Sequence, residues 1–343
     1  MKIGVALSGG LDSLACLVML KEQEYDLLPL HALFYPHQDR HLVQSLREIC
    51  TSLGTSLHVK DLQHEFATQV INPFVRDYLH GLTPNPCARC NRSIKFGLLL
   101  DLAMELGASA LATGHYARKI SLGLSGPILM RARDLGKDQS YFLSLVPAAG
   151  LARAVFPMQD QYKSLMKKFL ENRNITPPAR EESNEVCFIP GDYRDFIAGR
   201  LKNGPCTRPG PIVDSSGNIL GRHQGLWRYT LGQRRGLGIA CRHPLYVLRK
   251  ELSSGTLVVG PREELGVQGF EAGQINILEH PEQWPDLVLV QTRYRQKARP
   301  AEVEIQRGRM YVRFKDRPGL PVPGQVAVVY SLQGQVLAGG IIK

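Results

Sequence analysis

Apolar runs of strand length alternate with apolar positions at helical spacing throughout the first half of the chain. Strands are predicted over residues 3–7, 27–33, 56–59 and 110–113, and helices from residue 12, over 41–53 and over 94–106. This alternation is typical of an α/β fold in which helices cover a parallel sheet. Ligands of such sheets bind beyond the carboxyl ends of the strands. We therefore expect the loop after residue 7, the segment after residue 33, and Gly114 with His115 to line one crevice.

The pattern changes after about residue 200, where turn residues separate short apolar stretches. Turn clusters at 203–205, 208–211 and 214–218 predict a small, mainly β central domain. From about residue 273 alternation dominates, and five short strands separated by Gly/Pro turns predict a C-terminal β-barrel, at 287–290, 301–305, 310–314, 326–330 and 336–342. The predicted domains are residues 1–200, 201–272 and 273–343.

The composition and net charge of the chain indicate which kind of partner and which cellular compartment to expect. The chain has 343 residues, enough for two or three domains, and a net charge of +11 with a pI of about 9.4. This charge indicates a polyanionic partner, for which nucleic acid is suitable. The sequence contains no apolar run approaching the roughly 18 residues of a membrane span, and its start leads into a strand, so we expect a cytoplasmic protein. The seven cysteines show no disulfide framework, which indicates reduced thiols.

The first candidate for chemistry is SGGLDS at residues 8–13, between a predicted strand and a predicted helix. Its two glycines allow backbone N–H groups to approach an anion, Ser8 and Ser13 add hydroxyl groups, and the helix N-terminus favours negative charge. The spacing matches neither a Walker A loop nor a dinucleotide fingerprint. It predicts another kind of phosphate-binding turn, and the alternative is a glycine-rich turn without chemistry.

The second candidate is TPNPCARCN at residues 83–91, which places Cys87 and Cys90 at CxxC spacing. Two prolines stiffen the loop, so we expect an accessible segment before a helix. The helix N-terminus, with Arg89 and Arg92 nearby, is expected to lower the pKa of a thiol. A lone CxxC fits a metal site, a redox pair or ordinary cysteines. Cys187 lies 97 positions after Cys90, since 187 − 90 = 97, and by itself fits a buried strand cysteine.

Seven blocks together give a specific resemblance. They are SGGLDS, TPNPCARCN, ATGHYAR at 112–118, GKDQSYFL at 136–143, ESNEVCFIPGDYRDF at 182–196, GLWRYTLGQRRGLGI at 225–239 and RYRQ at 293–296. In this order the chain resembles the bacterial tRNA-specific 2-thiouridylases of the ATP pyrophosphatase (PP-loop) superfamily. The resemblance implies a PP-loop α/β domain followed by the two β-domains, and replacement of the 2-oxygen of the wobble uridine by sulfur, with ATP split into AMP and pyrophosphate.

The resemblance also implies roles for individual positions. Cys90 is similar to the first catalytic cysteine of the family and Cys187 to the second, the persulfide carrier. The implied ATP contacts are Ala6, Leu7, Ser8, Gly9, Gly10, Leu11, Asp12, Ser13, Tyr35 and Gly114. The implied contacts to the target base are Asn85, Pro86 and Cys87, and those to the rest of the tRNA are Lys137, Asp138, Gln139, Arg293 and Tyr294. Asp12 is also a candidate ligand of Mg²⁺ beside the phosphates.

Cys87 departs from the family, in which many members carry Asp at this position. With Cys87, Cys90 and Cys187 as ligands, a [4Fe-4S] cluster with one open iron is predicted as one route for sulfur delivery. The other route uses a persulfide on Cys187 and ends in a disulfide with Cys90. The sulfur donor is a cysteine desulfurase, a sulfur-relay protein or inorganic sulfide. Of these two routes of sulfur delivery, we slightly favour the one through the cluster.

Two weaker signals and three rival functions remain open at this point. The basic, aromatic run at 227–238 fits an RNA-contacting turn or a solvated hairpin, and His115 fits a satisfied histidine at a strand end better than a substrate contact. The first rival is a small-molecule ATP pyrophosphatase, such as an amidotransferase or a ligase that makes argininosuccinate. The second is a non-catalytic RNA-binding or iron–sulfur protein, and the third is an enzyme that thiolates another tRNA position.

Overall fold

A computed structural model of the chain describes residues 1–35, 40–121, 126–179, 186–189, 191–200, 205–316 and 318–343. The parallel sheet predicted for the first part is present, with five strands in the order β3-β2-β1-β4-β7. A separate antiparallel hairpin is formed by β5 and β6. The strands are β1 Lys2–Ala6, β2 Asp26–Leu33, β3 His58–Asp61, β4 Ala110–Ala112, β5 Arg118–Ser121, β6 Pro127–Met130 and β7 Ala154–Val155.

Helices cover both faces of this sheet and give it two cores. One core packs β2 and β4 against aromatic residues such as Phe66 and Phe74, and the other packs β1 against Leu14 and Leu17. Burial on both faces explains why the strands are continuously apolar. The α-helices are α1 Leu11–Glu22, α2 Arg40–Ser52, α3 Gln63–Phe66, α4 Asn72–Leu79, α5 Pro86–Cys90, α6 Leu100–Glu105, α7 Ser140–Leu143, α8 Ala148–Ala152, α9 Lys163–Glu171 and α10 Tyr193–Ala198.

The helix predicted over 94–106 is not continuous, and the prediction was wrong on this point. A π-helical segment, Asn91–Leu99, joins α5 to α6, and a second one, Ala67–Ile71, joins α3 to α4. At Phe96 and Gly97 the backbone leaves helical values, with ψ of 17° and −107° respectively. Glycine tolerates such a conformation because it lacks a Cβ atom. The apolar spacing continues through the kink, so periodicity alone does not detect it.

The central part is mainly β, as predicted. Its four strands have the order β10-β11-β8-β9, and Ile212, Val247 and Leu257 are buried in it. Short 3₁₀ helices lie at Pro205–Thr207, Leu226–Arg228 and Arg262–Glu264, and the second carries the fully buried Trp227. The strands are β8 Gly210–Val213, β9 Ile219–His223, β10 Tyr246–Glu251 and β11 Thr256–Gly260.

The last part is a closed barrel with the strand order β12-β15-β14-β13-β16-β17. All five predicted strands are present, and the prediction missed a sixth, β12. Its burial does not alternate, and its register with β17 shifts between Gly273 and Asn276. Such a bulge breaks the two-residue period. The strands are β12 Gly269–Ile277, β13 Val288–Gln291, β14 Arg299–Gln306, β15 Arg309–Phe314, β16 Val326–Tyr330 and β17 Val336–Ile342, and a 3₁₀ turn lies at Pro281–Gln283.

Candidate active site

The turn between β1 and α1 has the geometry of a phosphate-binding loop. Gly9 has φ of +85°, a backbone conformation that favours glycine, and a Cβ atom there would also press against the Leu42 side chain. The Ser13 hydroxyl donates to the Gly10 carbonyl at 2.9 Å, and the Ser8 N–H donates to Ser13 Oγ at 3.2 Å. These bonds hold the loop closed at the N-terminus of a twelve-residue helix, where an anion is favoured.

Asp12, in the first turn of α1, is held by two groups that the sequence did not indicate. Lys163 Nζ, at the start of α9, lies 3.0 Å from Asp12 Oδ2, and the Tyr116 hydroxyl donates to Asp12 Oδ1 at 2.9 Å. The side chains of Lys163 and Asp12 are 17% and 26% exposed. An ammonium group therefore stands beside the loop that is expected to bind phosphates.

Gly114 follows β4 and packs directly on the phosphate loop. A Cβ atom at Gly114 would lie 2.7 Å from the carbonyl carbon and oxygen of Asp12 and 2.9 Å from the Ser13 nitrogen. This contact explains why glycine stands at the strand end. It also confirms that the loop after residue 7 and Gly114 line the same edge of the sheet, as we expected from the alternation of strands and helices.

Asn85 and Pro86 begin the short helix that carries both cysteines of the CxxC. Asn85 Oδ1 accepts the Ala88 N–H at 3.0 Å, and Pro86 occupies the first helical position. Cys87 and Cys90 therefore lie within α5 and not on a loop before a helix. Cys90 is only 8% exposed, and Cys87 is half-buried.

The expected lowering of the thiol pKa values is wrong. Burial raises the pKa of Cys90 to about 12 and that of Cys87 to about 11. Lys95 opposes the rise at both thiols, whereas the neighbouring Cys187 adds to it. Removal from water disfavours the thiolate more than the local charges favour it. Arg89 was expected to lower the pKa of a neighbouring thiol, but it forms an ion pair with Asp77 at 3.1 Å.

Lys95 and His115 connect the cysteine helix to the end of β4. Lys95 Nζ lies 3.3 Å from His115 Nε2, and the Thr113 hydroxyl is 2.7 Å from His115 Nδ1. Burial holds the pKa of His115 well below its usual value, and the charge of Lys95 lowers it further. His115 is thus a buried, neutral and hydrogen-bonded histidine, as we preferred, and it orients the Lys95 ammonium between the thiols and the strand edge.

Cys187 is exposed and lies near the other two cysteines, in contrast to the buried strand cysteine that its sequence alone suggested. The Tyr35 hydroxyl donates to the Cys187 carbonyl at 3.2 Å. Burial raises the pKa of Tyr35, and its interactions with Cys187 and Cys90 raise it further. Tyr35, an expected ATP contact, thus lies where the two cysteines meet the crevice.

The residues described do not gather a metal site. Within the described ranges, no group of three His, Cys, Asp or Glu side chains is arranged to hold a metal ion. This includes Cys87, Cys90 and Cys187, each of which is a free thiol. The predicted iron–sulfur ligand set is therefore not formed in this arrangement, and we derive no step through a cluster.

The positions expected to contact tRNA divide into two groups. The Asp138 carboxylate is buried: it accepts the N–H groups of Ala132 and Ser140 at 3.0 and 3.1 Å and forms an ion pair with Arg131 at 3.0 Å. Gln139 is also used internally, since its side-chain oxygen accepts the Tyr116 N–H at 3.0 Å. The side chains of Asp138 and Gln139 thus form hydrogen bonds within the protein and stabilise the backbone around them.

The second group lies at the junction of the first domain and the barrel. Tyr294 packs on Phe142 with 4.4 Å between ring centroids, and Lys137 is half-buried. Arg293 lies two residues after the end of β13, next to Tyr294. A cavity of about 200 Å³ opens at this junction and is lined by Arg131, Leu135, Gly136, Asp138, Gln291, Tyr294, Arg295, Gln296 and Lys297. Its cationic rim is suited to phosphate groups.

Comparisons with known proteins agree with the observed order of an α/β part, a central β part and a barrel. Three family models match successive parts of the chain: "tRNA methyl transferase HUP domain" residues 1–191, "tRNA methyl transferase PRC-barrel domain" residues 194–261, and "Aminomethyltransferase beta-barrel domain" residues 267–342. The fold and the phosphate loop thus define a HUP-domain protein with two β-domains attached.

Relatives align over the full length of the chain. The tRNA-specific 2-thiouridylase MnmA of Nitratidesulfovibrio vulgaris (strain DSM 19637 / Miyazaki F) is 48% identical over 349 residues, covering 100% of this chain and 99% of the relative. The protein of the same name from Lawsonia intracellularis is 41% identical over 351 residues, covering 100% and 99%. The chain belongs to this family, the tRNA-specific 2-thiouridylases.

A solved structure is more distantly similar. The U34-tRNA thiolase NcsA from Methanococcus maripaludis, with its [4Fe-4S] cluster, aligns with a TM-score of 0.36 at 14% identity, covering 58% of this chain and 64% of that chain. The likeness is too distant to carry an argument. Separately, no helix within the described ranges is both long and apolar enough to span a membrane.

Proposed function

We propose that this protein is a sulfurtransferase that uses ATP to replace the 2-oxygen of the wobble uridine of tRNA with sulfur. The observation that carries the proposal is the junction at the end of β4. There Gly114 packs on the phosphate loop, and the next residue, His115, contacts Lys95 beside the two thiols of α5. One crevice thus adjoins a site for activating an oxygen and a site for supplying sulfur.

The phosphate loop would carry out the first half of the reaction. Backbone N–H groups of residues 8–13 and the N-terminus of α1 bind the β- and γ-phosphates, while the uridine O2 attacks the α-phosphorus. Pyrophosphate leaves, and the base carries AMP on its former carbonyl oxygen. Mg²⁺ commonly binds through one or two carboxylates together with substrate phosphates, so Asp12 fits as its protein ligand and the ion would neutralise phosphate charge.

The cysteines would carry out the second half. The terminal sulfur of a persulfide on Cys187 attacks carbon 2, and AMP leaves with the original oxygen. The Cys90 thiolate then attacks the Cys187 sulfur and breaks the S–S bond, which leaves 2-thiouridine and a Cys90–Cys187 disulfide. A two-electron thiol reductant restores both thiols, and a cysteine desulfurase or sulfur-relay protein reloads Cys187. Because burial raises the pKa of Cys90, we expect its thiolate to form after substrate binding has changed its surroundings.

The other proposed site residues fit around this reaction. The helix that carries Cys90 is capped by Asn85 and begins with Pro86 and Cys87. A wobble base rotated out of its stack would reach the start of this helix. Lys137, Arg293 and Tyr294 would contact the tRNA directly, with Asp138 and Gln139 supporting that surface. The basic charge of +11 supports a grip through phosphates. The division at residues 200 and 272 and a cytoplasmic location stay predictions. The [4Fe-4S] cluster also stays untested by experiment, although the described cysteines are not arranged as its ligands.

Thiolation is better supported than methyl transfer, although two of the matching family models carry methyl transferase in their descriptions. A loop that binds pyrophosphate has no use in methyl transfer from a sulfonium donor. The relatives that align over the full length are named 2-thiouridylases.

Nucleoside analysis tests the proposal directly. Unmodified tRNA is incubated with the protein, ATP, cysteine and a cysteine desulfurase, and we expect 2-thiouridine at the wobble position together with tRNA-dependent pyrophosphate release. Pyrophosphate release without tRNA would support a small-molecule enzyme. A different thiolated nucleoside would support action at another position. Iron and sulfide analysis of anaerobically purified protein decides the cluster, since active, colourless, iron-free protein would exclude it.

A further inference from the structure

Residues 81–84, just before the cysteine helix, are held by the barrel. Gln325 lies between the end of the loop after β15 and the start of β16, and its side-chain Nε2 donates to the carbonyls of Thr83 at 2.8 Å and Pro84 at 3.2 Å. The Thr83 N–H donates in return to the Pro323 carbonyl at 2.8 Å. Three hydrogen bonds therefore cross from the barrel to two adjacent residues that are about 240 positions earlier in the chain.

The contact between these two segments is close as well as hydrogen-bonded. Gly324 has φ of +92°, and a Cβ atom there would lie 3.0 Å from Leu82 Cβ and from the backbone nitrogen and carbonyl carbon of Thr83. A side chain at Gly324 would force the two backbones apart. The barrel loop thus fits against residues 82–84 without intervening atoms.

The central domain holds the other end of the same segment. Lys250 Nζ, on β10, donates to the Gly81 carbonyl at 2.9 Å, and the Thr83 hydroxyl donates to Thr230 Oγ1 at 3.4 Å. A Cβ atom at Gly81 would lie 2.8 Å from Leu252 Cδ2. Residues 81–84 are therefore a meeting point of all three parts of the molecule.

The position of this segment is transmitted to the site with little freedom. Pro84 and Pro86 have fixed φ angles and flank Asn85, whose side chain caps α5. Fixing the carbonyls of Thr83 and Pro84 therefore fixes where Asn85 stands and how α5 presents Cys87 and Cys90. The Gln325 side chain reaches this segment through hydrogen bonds to two backbone carbonyls, so we expect it to act on the placement of the segment itself.

We propose that Gln325 is a positioning residue for thiolation: its amide, supplied by the barrel, sets the placement of Asn85 and of the cysteine helix relative to the crevice. The inference rests on the proposed function and deepens it. It assigns the barrel a role inside the active site in addition to any contact with tRNA. Gln325 touches neither substrate nor thiol, and its effect passes through Thr83 and Pro84.

The test compares Gln325→Leu and Gln325→Glu with the matched control Gln268→Leu. Leucine keeps the approximate size but removes the N–H donors, and glutamate replaces donors with acceptors that repel the two carbonyls. Gln268 also donates from its side chain to a backbone carbonyl in the barrel, that of Phe314, away from the cysteine helix. The control thus measures how strongly the loss of another side-chain hydrogen bond in the barrel affects hydrogen exchange and thiolation.

Two readouts decide the inference. Hydrogen–deuterium exchange of the peptide covering residues 83–90 is expected to be at least ~10-fold faster in both Gln325 variants than in wild type and Gln268→Leu, because amide donors to both carbonyls are lost. Single-turnover thiolation is expected to fall about 10-fold or more, with unchanged Kd for tRNA and ATP. Glutamate is expected to be at least as harmful as leucine.

Wild-type exchange at 83–90 in folded Gln325 variants would overturn the inference, as would normal single-turnover rates. A parallel loss in Gln268→Leu would also overturn it, because the effect would then be general loosening of the barrel. If wild-type protein makes no 2-thiouridine at all, the proposed function fails, and the exchange experiment alone decides whether Gln325 positions the segment. If Gln325→Leu does not fold, the size-preserving Gln325→Glu serves both readouts.

Discussion

The ammonium group of Lys163 lies 3.0 Å from the carboxylate of Asp12, although 151 residues separate them in sequence. The pair stands at the opening of α1, where the nucleotide phosphates are expected. In the reaction proposed above, Asp12 would turn to a divalent ion and Lys163 to a phosphate oxygen, and the ion pair would hold both side chains in place before the nucleotide binds.

Replacing Lys163 with methionine is therefore expected to weaken ATP binding. A charge-assisted hydrogen bond contributes about 1.5–3 kcal/mol, which corresponds to a rise in Kd of roughly 10- to 100-fold. Isothermal titration with a non-hydrolysable ATP analogue measures the change. Lys167→Met is the matched control, because Lys167 is on the same helix with a side chain 79% exposed. Equal affinities in wild type and Lys163→Met would contradict the assignment.

A methyl group at Gly114 is expected to disturb the phosphate loop. In Gly114→Ala the new Cβ atom would meet the backbone of Asp12 at 2.7 Å, so the loop or β4 must shift. Overpacking of this kind costs about 1–3 kcal/mol. We expect a lower free energy of unfolding in urea and reduced ATP affinity. In Gly221→Ala the nearest atom is 3.8 Å away, and both quantities should stay near wild type. Unchanged ATP affinity in Gly114→Ala would show that the loop tolerates the shift.

The two proposed catalytic cysteines are expected to separate activation from sulfur transfer. Cys90→Ser and Cys187→Ser should abolish 2-thiouridine formation, because serine can neither carry a persulfide nor reduce one. Pyrophosphate release that depends on tRNA should persist in both, since the phosphate loop is intact. Cys241→Ser, which alters another exposed cysteine, is expected to behave as wild type. Thiolation by either of the first two variants would remove that cysteine from the mechanism.

Lys250 gives a prediction for the dependence of stability on pH. Burial lowers the pKa of Lys250 to about 8, from 10.5. Between these values the unfolded chain binds a proton that the folded protein does not, so folded stability rises with pH. We expect wild type to gain free energy of unfolding relative to Lys250→Met as the pH increases from 8 to 10.5. Urea titrations of both proteins measure the difference, and a difference that is constant with pH would show that Lys250 has an ordinary pKa when folded.

Features encoded within a short stretch could be predicted from the sequence. The phosphate loop depends on six adjacent residues and its flanking apolar runs, and the structure places a closed turn there. Five barrel strands were predicted from short apolar stretches between turns. In β15 these stretches alternate because one face is buried and the other solvated, whereas β16 is buried on both faces and is apolar throughout. Strand β12 was not predicted because its bulge interrupts the two-residue period. The kink at Gly97 was not predicted because the apolar spacing continues across it.

Features that depend on the assembled fold could not be predicted. The pKa of Cys90 is set by burial, which the flanking residues Arg89 and Arg92 do not reveal. Lys163 meets Asp12, and Gln325 meets Thr83, across separations at which one sequence carries no periodic signal. The resemblance implied that the cysteines act together, and the structure places Cys187 near Cys87 and Cys90. The contacts of Lys163 and Gln325 arise only in the folded chain.

The closeness of Gly324 to Thr83 has a consequence for the order in which the protein is made. A ribosome synthesises the chain from the N-terminus, and domains fold largely as they emerge. The sheet, the phosphate loop and the cysteine helix can all form early, yet the segment before that helix lacks its last partners until residues 323–325 have left the exit tunnel. Until then the segment lacks these hydrogen bonds, so the placement of the cysteine helix would be completed after the phosphate loop has formed.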